Sequence, residues 1–308
     1  MNHSHFSLFP EAQPSGRSGK ESPMKLKKST IILFVACILG LSLLLYPTIS
    51  DYWNSKHATQ AIVTYVEALE EIDDTDYQAI WESAIEYNKL LLERDNEFSL
   101  TPELRERYFK EMNVTEDGLM GYVEISKLGV SLPLYHGTTE DVLQRAIGHI
   151  EWSSLPTGGE STHCVVSGHR GLPSAKLLTD LDKLREGDLF TLTILGEVLT
   201  YEVDQIRTVE PADASELLIR EGKDYCTLVT CTPYGINTHR LLVRGHRIET
   251  LTKENVYVVS EAVVIDPLIV APIVAFPFLF ILLMIVLFKR PDGGTNTNIR
   301  KKPKNTEK

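Results

Sequence analysis

Tyr225-Cys226-Thr227-Leu228-Val229-Thr230-Cys231 is followed, after eight further residues, by Arg240-Leu241-Leu242-Val243-Arg244. Each run is rich in β-branched and apolar residues, too short for a helix and bounded by turn formers, so each reads as a strand. Pro233, Gly235 and Asn237 between them favour chain reversal. If the strands pair antiparallel, Cys231 and Arg240 stand at neighbouring strand ends. Cys226 and Cys231, five residues apart on one strand, would lie ~16 Å apart on opposite faces and could not bridge each other.

Outward from this pair the period-two pattern continues. It marks further runs at 122–125, 130–135, 163–167, 189–195 and 198–206, with Leu195-Gly196-Glu197 as a hairpin turn. Many short strands separated by Gly and Pro turns predict a closed barrel in preference to a sandwich. Before residue 121 the pattern is helical. Ile62, Val66 and Leu69 share one face, and Ile80, Ala84 and Leu91 another, after the acidic break from Glu70 to Asp76. Thr101 and Pro102 read as the cap and first turn of a third helix. The acidic break lacks the alternating ligands and central glycine of a calcium loop.

Two uncharged stretches of 22 residues, Ser29 to Ser50 and Pro267 to Phe288, are each long enough at ~1.5 Å per residue to cross a hydrocarbon core of roughly 30 Å. A cleaved leader is the plainer reading of the first, but no small-x-small pattern follows it. Met24, followed by Lys25, reads as the start of a signal anchor. Residues 1–29 and 289–308 together hold 12 Lys+Arg and 4 Asp+Glu, which leaves 19 basic and 38 acidic residues between them. Basic residues collect on the cytoplasmic side, so both termini are expected inside and the acidic middle outside. Such an acidic domain, without a phosphate-binding glycine loop, is a poor partner for nucleic acid.

Cys37 lies in the first apolar stretch, leaving Cys164, Cys226 and Cys231 outside, an odd number without paired spacing. Cys164 and Cys226 read as small buried hydrophobes. Cys231 ends its strand at a turn, and His169 ends Cys164-Val165-Val166-Ser167-Gly168 in the same fashion. An ordinary cysteine is only a few per cent thiolate at neutral pH, so a nucleophilic one wants a cation and a proton donor nearby. Arg240 would stabilise an oxyanion and His169 would serve as general acid. His57, His136, His149, His163 and His246 are assigned structural or surface roles, and His239 stays ambiguous. Arg244 and Arg247 are expected to face solvent. Cys226, Cys231, His239 and His246 superficially suggest zinc, but the histidine spacing is too long, and neither a metal nor a cofactor is expected.

Thr227-Leu228-Val229-Thr230-Cys231 resembles the sortase nucleophile motif TLxTC, and residues 232–240 resemble its continuation in class C, the pilus-assembly sortases. Leu134-Tyr135-His136-Gly137-Thr138, Ser154-Leu155-Pro156, Ser167-Gly168-His169-Arg170-Gly171-Leu172-Pro173 and Leu178-Thr179-Asp180-Leu181 agree with the same family. The resemblance covers about Gly121 to Arg247 and implies a mainly β fold, an eight-stranded sortase barrel. It implies that Cys231 is the nucleophile, His169 the general acid or base, and Arg240 the oxyanion group, with Thr230, Tyr234 and Asn237 as candidate substrate contacts. The substrate would be an LPxTG-like sorting signal on a Gram-positive cell surface, held as a thioester and passed to a lysine amine of the next pilin. Anchoring to the cell-wall precursor, simple thiol hydrolysis and a catalytically silent surface binding domain are the alternatives. The Asp-Pro-aromatic lid of many class C enzymes is missing from 93–118, which leaves Phe98 as the candidate lid residue.

The expected layout is thus a disordered cytoplasmic tail over 1–28, a transmembrane helix over 29–50 and a helical subdomain with any lid segment over 51–120. The catalytic barrel follows over 121–250, then a linker over 251–264, a second transmembrane helix over 265–288 and a basic tail over 289–308.

Overall fold

The computed structural model describes residues 28–94, 97–250, 280, 281 and 284. Expectations for the N-terminal tail, the 251–264 linker, the second membrane span and the basic tail fall outside these residues, apart from helical Phe280, Ile281 and Met284. The chain divides into two compact units, residues 1–41 with 278–308, and residues 42–277. In the first, helix α1 (Lys28–Glu70) begins with exposed apolar side chains such as Ile32 and Leu39. Among the described residues α1 is the one helix long and apolar enough to cross a membrane.

The second unit holds the barrel. Strands β1 (Leu119–Ile125), β2 (Val130–His136), β3 (Ile147–His149), β4 (Thr162–Ser167), β5 (Leu189–Ile194), β6 (Glu197–Val209), β7 (Asp224–Thr232) and β8 (His239–Ile248) close in the order β1-β2-β3-β4-β7-β8-β6-β5. β2 with β3 and β4 with β7 run parallel, and the other pairs are antiparallel. The β5–β6 hairpin turns where the sequence predicts it: Leu195 and Gly196 both take positive φ, 49° and 84°, as a twist-matched two-residue turn requires.

Alternation sorts the side chains. Cys164, Val166, Cys226, Leu228, Leu241 and Val243 point into the barrel core. Their neighbours Val165, Val229 and Leu242 form an apolar cluster on the outer face with Leu217, and Trp152 packs against it. Fully burying a side chain of this size contributes roughly 1.5–3 kcal/mol, so a strand is strongly held in its phase.

The helices are tied to the barrel by polar anchors. α1 presents Ala58, Ala61, Tyr65 and Leu69 to it, whereas Val66 is exposed, a one-position rotation from the predicted stripe. The Tyr65 hydroxyl is buried, donates to Met120 O at 2.7 Å and accepts from Leu195 N at 2.8 Å. Burial pushes its ionisation well above the ordinary tyrosine range. The acidic break becomes a cap: Asp73 accepts from Thr75 N and Asp76 N at the start of α2 (Asp74–Leu92). Asn88 on α2 grips Leu155 through both its amide atoms, at 2.7 and 3.0 Å. Thr101 caps α3 (Pro102–Tyr108) as expected. No break separates residues 50 and 51, because α1 runs on through Pro47 and the polar turn beyond it. A four-residue helix, α4 (Glu140–Leu143), links β2 to β3.

Candidate active site

The sheet brings three sequence-distant side chains into one row. Cys231 on β7 is the register partner of Arg240 on β8. Both share the outer-face parity of Val229 and Leu242, so their side chains stand on the same side of the sheet. On the other flank β4 runs parallel to β7 with Ser167 opposite Val229, and Gly168 N still donates to Val229 O at 3.0 Å. Two residues further on lie His169, past the end of β4, and Cys231, still on β7. The row is therefore His169, two residues past the end of β4, followed by Cys231 and Arg240 on the adjacent strands β7 and β8, whose backbones lie about 4.8 Å apart.

Hydrogen bonds clamp the two sides of this row. The Thr230 hydroxyl donates to Gly168 O at 2.8 Å, and Arg170 Nη1 donates to Thr232 Oγ1 at 3.2 Å. The residue before His169 is thus tied to the residue before Cys231, and the residue after to the residue after. Arg170 is itself held by Asp182 at 2.6 Å and its side chain is 8% exposed. Gly171 turns at φ +76° under the Tyr234 ring, where a Cβ would come within 2.9 Å of a ring carbon. Only glycine fits both demands.

All three members of the row are half-buried, open to one side. The buried His169 Nε2 makes no hydrogen bond, and Glu140 on α4 is 3.7 Å away, too far for one. Arg240 Nη1 contacts the backbone carbonyls of His239 and Asn237, at 3.2 and 3.4 Å. Two strong donors thus stand beside an outward-facing thiol with capacity left for a substrate, the arrangement acyl transfer to sulfur needs.

The remaining sequence candidates take different places. Tyr234 is 60% exposed, and Asn237 adopts φ 61° and offers its carbonyl to Arg240. Thr230 is buried with its hydroxyl spent on Gly168, so it supports His169 from behind rather than lining the open side. Phe98 stands apart in its contacts: its ring meets Trp152 edge-on at 5.0 Å. Cys164 and Cys226, read as isolated hydrophobes, are register partners across β4 and β7. Burial pushes the Cys226 thiol well up, so it stays neutral. Cys226 faces inward and Cys231 outward, which disposes of a shared zinc ion. Arg244 does not face solvent: it makes a bidentate pair with Asp204 at 2.9 and 3.1 Å and lies over the Tyr225 ring at 4.2 Å. Arg170 and Asp182 are the residues that motif reading left without a role. Their signal was present, since Arg170 adjoins His169, but its partner Thr232 is 62 residues away.

The family model described as the sortase domain matches residues 123–248, which include the whole row. The structure also matches that of sortase C1 from Streptococcus agalactiae, with 53% identity over 62% of this chain and all of that one, at a TM-score of 0.61. The chain belongs to the sortase family. Its other structural neighbours include the class C sortase of Clostridium perfringens, solved with the C-terminal cell wall sorting motif (43% identity, 62% of this chain and 100% of that one, TM-score 0.56). They also include sortase C of Streptococcus pneumoniae, whose structure was discussed for catalysis and pilin substrate specificity (42%, 62% and 97%, TM-score 0.53). Among curated sortases the chain spans 63% of the length of the first two it matches, at 30% and 26% identity.

Proposed function

We propose that this sortase is a membrane-anchored cysteine transpeptidase that cleaves an LPxTG-like sorting signal and joins it to a lysine amine of the next pilin. The observation that carries the reading is the outer-face row His169, Cys231, Arg240, clamped on both sides by Thr230 and Arg170. The Cys231 thiolate attacks the Thr carbonyl of the signal. Arg240 donates to the oxyanion as the tetrahedral centre forms, and His169 gives its proton to the departing amine. The acyl group remains on sulfur as a thioester until an amine displaces it. Tyr234 and Asn237, at the open side, contact the peptide. The class C neighbours support a pilin as substrate, and the charge asymmetry of the sequence supports an extracellular catalytic domain between cytoplasmic termini. Phe98, engaged with Trp152, is not assigned a gating role.

Mass spectrometry of the enzyme incubated with a sorting-signal peptide tests this directly. An acyl adduct on Cys231, discharged faster when a lysine peptide is added, is the expected result. Release to water at a rate indifferent to the amine would make the enzyme a hydrolase. Discharge onto a cell-wall precursor amine alone would make it an anchoring sortase.

A further inference from the structure

A transpeptidase needs a second approach to its sulfur, and the two directions away from the row differ. Back along β4, β7 and β8 the outer face is floored by Val165, Val229 and Leu242 and covered by Leu217 and Trp152. Past the strand ends lies an open groove of about 490 Å³ between residues 47–55 of α1 and the loop over 171–183, with Tyr234 at its head. It adjoins the reaction centre: Gly171 is two residues beyond His169, Tyr234 three beyond Cys231, and the two are in contact. Its walls are fixed, because Asn54 donates to Ser174 O at 2.7 Å and Asp51 accepts from Lys176 N at 2.6 Å.

We propose that this groove is the acceptor site, seating a lysine side chain of the incoming protein as it meets the thioester. The inference rests on the transpeptidase reading and adds the place from which the amine arrives. An ammonium is not a nucleophile, so the site must take lysine in its neutral form and accommodate four methylenes. The groove suits both demands. Its volume lies within the range of roughly 300–1,000 Å³ usual for ligand pockets, and its lining includes Pro47, Tyr52, Leu172, Pro173 and Tyr234. Both carboxylates on its walls are already engaged: Asp180 with Lys176 and Lys183 at 3.1 and 2.9 Å, and Asp51 with the Lys176 backbone. Asp180 is spent on two lysines, and the Lys176 and Lys183 ammonium groups on the same wall disfavour a further cation beside them, which favours the free amine. In the step itself the neutral nitrogen attacks the thioester carbonyl carbon, the C–N bond forms and the C–S bond breaks. The electron pair returns to the Cys231 sulfur, and the extra amine proton passes to His169. An isopeptide bond results and the starting charges are restored.

The full chain in phospholipid vesicles, given an LPxTG peptide as donor, separates the two half-reactions. Acetyl-Ala-Lys-Ala-amide serves as the acceptor probe, and hydroxylamine as a nucleophile small enough to need no seat. Tyr52→Ala strips one wall and Ser55→Trp fills the groove; both positions are exposed, so neither change threatens the fold. The expected result is a KM for the lysine peptide raised about tenfold, with Cys231 acylation and hydroxylamine release within about twofold of the unaltered enzyme. Unchanged acceptor kinetics would overturn the assignment. So would an equal fall in acylation, which would give the groove to the donor. Absence of any adduct in the unaltered enzyme is a separate failure, and would bring down the transpeptidase reading beneath it.

Discussion

The outer face of β4, β7 and β8 carries two rows built from nearly the same parts. At the open end stand His169, Cys231 and Arg240; further back stand Thr227, the register partner of Arg244, and His163, which is in register with Tyr225 and reaches Thr227 from two residues behind. In the second row every group is satisfied. His163 bonds Leu218 O at 3.0 Å and Thr227 Oγ1 at 2.7 Å, and Arg244 is forked onto Asp204 over a tyrosine ring. In the first, the imidazole Nε2 makes no hydrogen bond and the guanidinium touches only backbone carbonyls. Residue type therefore does not separate the proposed catalytic row from the structural one. What separates them is unspent bonding capacity: the back row holds the β6–β7 loop through Leu218, while His169 Nε2 makes no hydrogen bond.

The contrast can be broken first at the sulfur. Cys231→Ala should remove the acyl adduct and lower turnover by at least about a thousandfold, whereas Cys226→Ala should leave adduct formation intact; mass spectrometry of both variants decides. Next comes the cation: Arg240→Ala should cost about a hundredfold or more in kcat, as loss of an oxyanion donor does. Arg244→Ala should act on stability instead, leaving Asp204 without its partner. A smaller effect is expected from Arg170→Ala, which opens one side of the clamp: about 1–3 kcal/mol of stability in denaturant melts and a several-fold loss of kcat, with KM for the donor little changed.

The mildest test concerns pH. Burial lowers the ionisation of His163 from its ordinary 6.5 to about 4. The same cause lowers His136 to about 4. A depressed histidine opposes protonation in the folded state, so the unfolded chain binds more protons across this window. Stability should be intact above about pH 6.5, fall as the pH drops toward 4, and level off below it, by at most about 3 kcal/mol for His163. His163→Gln should lessen that decline in thermal melts, leaving the share of His136, while keeping activity near neutrality within about twofold. A variant with the original acid profile would remove His163 as its source.

Period-two alternation made seven of the strands legible, and the strand-ending cysteine and arginine were visible before any pairing was known. β3 escaped notice because three residues, Ile147–His149, are too few to show a period. The facing of Cys164 and Cys226 escaped for another reason: it depends on the parallel register of β4 and β7, which no local pattern encodes. The long-range clamps were equally hidden. Arg170 and Asn88 look like surface residues until their partners, 62 and 67 positions away, are folded against them. Their bonds are properties of the closed barrel, while the helix cap at Thr101 is local and is read directly.

Because Cys226 and Cys231 differ in phase, β7 acts as a reading frame for chemistry. Loss or gain of one residue between them would not merely shorten the strand. It would swing Cys231, the proposed nucleophile, toward the barrel interior and set inward-facing apolar residues on the wet side. Indels in this lineage should therefore gather in the connections, such as the stretch from 210 to 223, and be purged from the nine residues of Asp224–Thr232.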